Sequence, residues 1–399
     1  MKAKQQAYRT KVVKELYFAK ALSCADLCVQ IDKSLPLTTT LLNEMIADGL
    51  VYDTGYAPST GGRRPQVYAL QPDMQYVIAI AMDQFVTRMA VINMKNDYVF
   101  PVKKYQLPLE DNPSSLDQLI VNLTAFINEL GIDHSKIAGV GIGMPGFIDV
   151  TRSLNYTFLQ TQPGEDIASR ISAAVGMPVF IDNDSSLVAL AEKKFGHVSN
   201  VNNGMVINVG WGIGLGMILN GELFRGNKGF AGELSHIPLF TNNKLCKCGK
   251  IGCLETETSL LLLIEKAHEQ LKSGRSSIIA IEDMTLQNPE HAFEAIKTAL
   301  QRGDKLAIDL FSEAAYNIGR SIAILIHLLN PETIILSGRG SLAGDIWYAP
   351  IQQAIKEHCI PRLSDGTTVH VSALGYDAEI IGAAALVMEN YDQLTFESN

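Results

Sequence analysis

Gly232-Glu-Leu-Ser-His236 and Cys246-Lys-Cys248-Gly-Lys-Ile-Gly-Cys253-Leu-Glu255 hold the densest chemistry in this 399-residue chain. Three thiols and an imidazole fall within eighteen residues. That is the donor set of one compact tetrahedral N/S site, of the kind structural Zn2+ favours. Gly249 and Gly252 would let a short loop turn back sharply enough to aim the sulfurs inward. If His236, Cys246, Cys248 and Cys253 all coordinate, no position is left for water, and the ion shapes a loop without doing chemistry. The competing reading is a turn that merely carries buried or surface cysteines. Glu233 and Glu255 sit close enough to the ligands to be held toward a common pocket.

Working outward, 47% hydrophobic and 19% charged residues describe an ordinary globular chain, and its length suggests two or three domains. No apolar run approaches the roughly 18 residues needed to span a bilayer. Met1-Lys-Ala-Lys-Gln-Gln leads into a polar helical pattern and lacks the apolar core of a signal peptide, so a cytoplasmic location and no membrane partner are expected. Six cysteines are too sparse for a disulfide framework. Cys24, Cys28 and Cys359 read as small core residues. The net charge of −9 hides an asymmetry: residues 1–70 carry nine basic against six acidic side chains, leaving the remainder at −12. A basic head on an acidic body suits a DNA-binding module joined to a ligand-binding domain.

The pattern of that head is more telling. Val12, Val13, Leu16 and Tyr17 recur at helical spacing. Ser23 opens a second helix, with Asp26 as its capping-box partner and Leu27 and Ile31 inside. Ser34 caps a third, with a stripe of Leu37, Leu41, Leu42, Met45 and Ile46 closed by Gly49. Thr39, Thr40 and Asn43 point away from the stripe, and such short polar groups can approach base edges. An ordinary solvated face is the alternative. Leu50-Val51-Tyr52 and Val67–Leu70 then form a hairpin with Gly61-Gly62-Arg63-Arg64-Pro65 near its tip, where Arg63 and Arg64 can reach phosphates or a minor groove.

Together with Gly141-Ile-Gly-Met-Pro-Gly146, Asn183-Asp184, Gly210-x-Gly212-x-Gly214-Leu-Gly216 and Asp377-Ala-Glu-Ile-Ile-Gly382, the zinc-type segment resembles the ROK family of sugar kinases and sugar-responsive repressors. The similarity runs over about residues 75–390, and the head resembles the winged module of the repressor branch. The resemblance implies an α/β fold: an N-terminal winged helix-turn-helix followed by a two-lobed actin-like, sugar-kinase (ribonuclease H-like) body. The expected organisation is a DNA-binding domain at 1–70, a linker at 71–75, a first lobe at 76–181 and a second at 182–399, whose C-terminal segment can return to the first.

By the same resemblance, Asn183, Asp184, Glu233, His236 and Glu255 would bind a sugar or sugar-phosphate effector between the lobes, with Asp184 the relic of a kinase base. The kinases hold phosphate with Asp-x-Gly-Gly-Thr. Here Ala81 stands at the Asp position, and Asp83, Gln84 and Phe85 replace Gly-Gly-Thr. Trp211 replaces a Thr in the second phosphate loop. A carboxylate and a ring would repel and obstruct a triphosphate, so no catalysis is expected. The reading is a sugar-responsive regulator, of the repressor type, working as a homodimer or homotetramer on operator DNA. The alternatives are an ATP-dependent hexose kinase with an extra domain, and a zinc-stabilised scaffold that binds a protein partner.

Overall fold

The computed structural model describes residues 2–57, 64–242 and 244–394, which divide into two compact units. The first runs to Asn183 and takes up the chain again from Ile380; the second is Asp184–Glu379. The division falls two residues beyond the 181/182 boundary expected from sequence, because a strand continues through Asn183 and a helix starts at Asp184 with no loop between them.

The first unit opens with α1 (Lys2–Ala19), β1 (Leu22–Ser23), α2 (Cys24–Gln30), α3 (Leu35–Ala47), β2 (Val51–Tyr56) and β3 (Gln66–Leu70). The strands form a small antiparallel sheet in the order β1-β3-β2. Ser23 and Asp26 make the full reciprocal capping box on α2, satisfying two backbone donors that a helix start leaves open. Ser34 occupies the cap position of α3 without a side-chain bond. The stripe of α3 differs from the apolar pattern: Thr38, Leu41, Leu42 and Met45 are buried, whereas Leu37 and Ile46 are exposed. Thr38 goes inside because its hydroxyl is satisfied by the Ser34 carbonyl at 3.1 Å, leaving only its methyl to pack. Cys24 and Cys28 are half-buried, not core; only Cys359 of those three is buried.

Next come β4 (Tyr76–Met82), β5 (Val86–Asn93), β6 (Lys103–Gln106), α4 (Ser115–Leu130), β7 (Ile137–Met144), β8 (Ile148–Asp149), β9 (Leu154–Asn155), α5 (Ile167–Val175) and β10 (Val179–Asn183). The sheet order is β10-β7-β4-β5-β6, parallel from β10 to β4 and antiparallel from β4 to β6. Buried on both faces, β4 and β7 read as near-continuous apolar runs.

The second unit holds α6 (Asp184–Phe195), β11 (Gly204–Val209), β12 (Ile213–Leu219), β13 (Glu222–Phe224), α7 (Glu255–Thr258), α8 (Leu260–Lys272), α9 (Pro289–Gln301), α10 (Lys305–Leu329), β14 (Thr333–Ser337), α11 (Tyr348–His358), α12 (Pro361–Ser364) and β15 (Thr368–Val371). Its sheet, β13-β12-β11-β14-β15, repeats the connectivity of the first: a three-strand meander, then two strands added in parallel beside its first strand. The duplication leaves no sequence repeat. Gly214 and Gly216 lie on one face of β12 because α6 rests on them; a Cβ there would come within 1.9 Å of Ser185 Oγ and 2.3 Å of Ala189 Cβ. The glycine run is therefore a docking surface for the helix that begins with Asp184. The last helix, α13 (Ala378–Glu389), starts in the second unit and continues in the first.

Candidate functional site

His236, Cys246, Cys248 and Cys253 come together as the sequence predicts, with one donor atom from each lying within 4.8 Å of all the others. A short 3-10 turn, Leu234–His236, presents the imidazole. A narrow loop presents the thiols, pinned by pairing of Leu245 with Ile251 and of Pro238 with Cys253. Cys246 Sγ is 3.6 Å from His236 Nδ1, and Cys248 Sγ is 3.6 Å from Cys253 Sγ. A tetrahedral ion with bonds of about 2.3 Å to sulfur and about 2.0–2.1 Å to nitrogen spaces its ligands about 3.8 Å (S–S) and about 3.6 Å (S–N) apart. The donors fit, and the four residues can hold one metal ion.

The same ring faces two ways. Nδ1 lies on the thiol side, while Nε2 lies 3.8 Å from Glu233 Oε2. An ion on Nδ1 would put the ring proton on Nε2, free to donate to a carboxylate or a ligand oxygen. Both expected roles of His236 can thus be filled at once, one by each nitrogen.

Around this ring the second unit gathers carboxyl groups. Asp184, in the first turn of α6, accepts from the Ser185 amide at 2.7 Å and from its hydroxyl at 3.2 Å. Burial, then the charges of Glu379 and Glu233, push its pKa up to about 7 despite those bonds. The carboxyl itself is crowded by protein, although the residue as a whole is half-buried. Glu233 and Glu255 are also raised above the usual carboxylate range, chiefly by burial. Glu255 accepts a backbone bond from Ile213 and lies so near Gly212 that a Cβ there would be 2.9 Å from its Oε2. Asp184, Glu233, His236 and Glu255 therefore form one electrostatically linked set. Asn183 belongs to the first unit, where its amide donates to the Gly146 carbonyl at 3.1 Å. The sequence reading missed Glu379 as a member of the set; its one signal was a carboxylate opening an otherwise apolar, alanine-rich helix.

β4 turns into β5 through Asp83, Gln84 and Phe85. Asp83 Oδ1 accepts from the amides of Phe85 and Val86, each at 2.8 Å. Both amides are thus taken by the chain's own carboxylate. Trp211, after β11, is buried, and the Arg339 guanidinium sits 4.4 Å over its ring and 4.3 Å over Tyr376. Arg339 also donates to Glu290 at 3.2 Å and to the Tyr376 hydroxyl. Trp211 and Arg339 each follow by two residues the carboxyl ends of the parallel strands β11 and β14, the edge where open α/β sheets bind ligands.

In the head, Thr39, Thr40 and Asn43 are exposed on α3, and Arg64 is exposed where the chain returns to β3. The Thr40 hydroxyl is bonded to the Pro36 carbonyl at 2.9 Å, and Thr39 Oγ1 lies 3.4 Å from Cys24 Sγ. Arg63 lies outside the described residues. Among the described residues, no helix is long and apolar enough to cross a membrane.

A helical head on a duplicated α/β body with a thiol–imidazole–carboxylate cluster defines a sugar-kinase-like architecture. The ROK family pattern matches residues 78–390, and the chain belongs to that family. It is 28% identical over 400 residues to the xylose repressor of Caldicellulosiruptor bescii, with 98% of this chain and 97% of that one covered. It is 31% identical over 265 residues to a glucokinase of Halalkalibacterium halodurans, with 65% of this chain and 79% of the kinase covered. Among solved structures, a ROK family transcriptional regulator described as a homolog of the Escherichia coli MLC protein superposes with a TM-score of 0.76, at 26% identity and 97% coverage of both chains.

Proposed function

We propose that the chain is a sugar-responsive transcriptional regulator, of the repressor type, that binds operator DNA through residues 1–70 as a winged helix-turn-helix. The sugar or sugar derivative is held by Asp184, Glu233, His236 and Glu255, with Asn183 alongside. Zn2+ on His236, Cys246, Cys248 and Cys253 fixes the loop carrying two of these groups and takes no part in chemistry. The observation that carries the reading is the pairing, in one chain, of an exposed polar α3 with the linked carboxyl–imidazole set. Full-length similarity to named repressors supports it.

A homodimer or homotetramer presents two heads to two half-sites about one helical turn or a multiple apart. Footprinting on the upstream DNA of the protein's own gene is expected to give protection over an inverted repeat. Thr40→Ala should shift base preference by roughly 1 kcal/mol at one position, whereas Arg64→Ala should weaken all sequences alike and reduce the salt slope by about one unit. Uniform loss in both variants would remove α3 from base recognition.

The second reading, an ATP-dependent hexose kinase, is favoured by Asp184, whose pKa near 7 suits a general base. Against it stand the Asp83-capped turn and the buried Trp211–Arg339 stack. Calorimetry with ATP and Mg2+ is expected to show no binding in the micromolar range; a micromolar Kd would reinstate the kinase.

A further inference from the structure

The tight turn between β11 and β12, residues 210–213, touches both Glu255 of the carboxyl set and the buried guanidinium of Arg339. It closes on itself, the Gly210 amide donating to the Gly212 carbonyl at 2.9 Å. Gly212 passes so close to Glu255 that a Cβ there would lie 2.9 Å from its Oε2, and the Ile213 amide donates to the same carboxylate. The Glu255 backbone is tied to the turn as well. Its carbonyl accepts from the Ser259 amide at 3.3 Å, and the next residue, Leu260, donates to the Gly210 carbonyl at 3.1 Å.

Between the two glycines stands Trp211, gripped on its face by Arg339 and at its edge by Phe293, whose ring centroid is 6.3 Å away at 87°. Tyr376 covers the guanidinium too, and Glu290 supplies the countercharge that a buried cation needs. The backbone carrying Arg339 has no slack. A Cβ on Gly338 would lie 2.0 Å from Asn208 Oδ1, and one on Gly340 2.5 Å from Val209 Cγ1, so the chain leaving β14 rests directly on the end of β11. Apolar side chains of similar volume commonly replace a buried ion pair without loss of stability. What a planar guanidinium adds is a fixed ring orientation, which an ammonium cannot impose.

Resting on the reading of Glu255 as a sugar ligand, we propose that Arg339 is a positioning residue for the sugar site. By clamping Trp211 it holds the 210–213 turn against the Glu255 carboxylate. That carboxylate, fixed by one amide, keeps lone pairs for a sugar hydroxyl. Arg339 acts through Trp211 and the turn, without touching the sugar.

The test uses the full chain, with D-xylose, D-glucose and N-acetyl-D-glucosamine as probes and calorimetry for affinity. Arg339→Lys keeps a charge for Glu290 and loses the planar stack. It should weaken binding of the preferred sugar by roughly tenfold, the scale of one hydrogen bond to a charged group, with zinc content unchanged. In a Glu255→Gln background the same substitution should cost less than about twofold more, because both changes act through one carboxylate. Trp211 adds an optical readout. Saturating sugar should change the fluorescence of the unaltered protein, and that change should vanish in Trp211→Phe and shrink in Arg339→Lys. Should Arg339→Lys fail to fold, Tyr376→Leu, which leaves the Arg339–Glu290 pair in place, carries the same comparisons. Undiminished sugar affinity in the folded variant, a tenfold loss that persists on top of Glu255→Gln, loss of zinc together with sugar, or Trp211 emission indifferent to bound sugar overturns the role of Arg339 alone. No sugar bound by the unaltered protein overturns the sugar-site reading, and the role of Arg339 with it.

Discussion

Cys253→Ser is expected to strip the protein of its metal and of most of its sugar affinity. Cys253 is fully buried, its thiol touches Cys248, and its backbone pairs with Pro238 at the base of the loop. Glu255 follows two residues later, and Glu233 precedes His236 by three, so both carboxylates take their positions from the liganded segment. Without the ion, three closely packed thiols and an imidazole lose the interaction that justifies their crowding, and structural zinc, worth about 10–16 kcal/mol in small zinc-finger peptides, is comparable with the whole stability of a domain. Hydrogen bonds to charged groups contribute roughly 1.5–3 kcal/mol each, so misplacing two should weaken sugar binding by about 100-fold or more. Metal analysis of the unaltered protein should give one equivalent of zinc per chain and of the variant close to none. Sugar affinity that survives chelation within a factor of about three would separate the metal from the site.

Asp184→Asn should have the second large effect, with a pH signature. Sugar affinity of the unaltered protein should fall about tenfold for each pH unit below about 7, because only the ionised carboxylate accepts freely from a sugar hydroxyl. The variant should bind weakly and without that slope. Its effect on stability has the opposite sign. The folded pKa lies above the unfolded value of 3.8, so the native state holds the extra proton. Stability from this group is fully present below about pH 4 and is lost as pH rises through about 7. Asparagine never ionises, so the variant should unfold later in urea than the unaltered protein at pH 8. The gain should be on the order of 1–3 kcal/mol, below the full shift because solvent reaches the residue. Equal urea midpoints at pH 8, with equal pH slopes, would show that Asp184 is not held in the raised state.

What the sequence conveyed best was local. The capping box at Ser23 and Asp26, the helix stop at Gly49 and the His–Cys cluster each rest on groups close along the chain or on a ligand set with few alternatives. What it hid depends on distant partners. Glu379 meets Asp184 from 195 positions away, and an acidic residue opening an apolar helix reads as an ordinary helix start. Arg339, Trp211 and Tyr376 stack from three separate segments. Gly214 and Gly216 stood in the sequence only as part of a glycine-rich motif, because nothing near them along the chain shows that α6 packs on them. Leu37 and Thr38 exchanged places because hydrophobicity was weighed without the Ser34 carbonyl that satisfies the Thr38 hydroxyl.

The regulatory reading reduces to a coupling between two sites, and coupling is directly measurable. The decisive measurement is a titration of the intact protein onto upstream DNA of its own gene at fixed salt, with and without each sugar that calorimetry shows to bind, repeated with Glu233→Ala. The account predicts sequence-specific binding that one sugar weakens by roughly 5- to 150-fold, with the same factor recovered when sugar affinity is measured in the presence of DNA. In Glu233→Ala the DNA affinity should persist and the sugar effect should move to much higher sugar concentrations. DNA affinity indifferent to every sugar that binds, or no specific DNA binding at all, would contradict it.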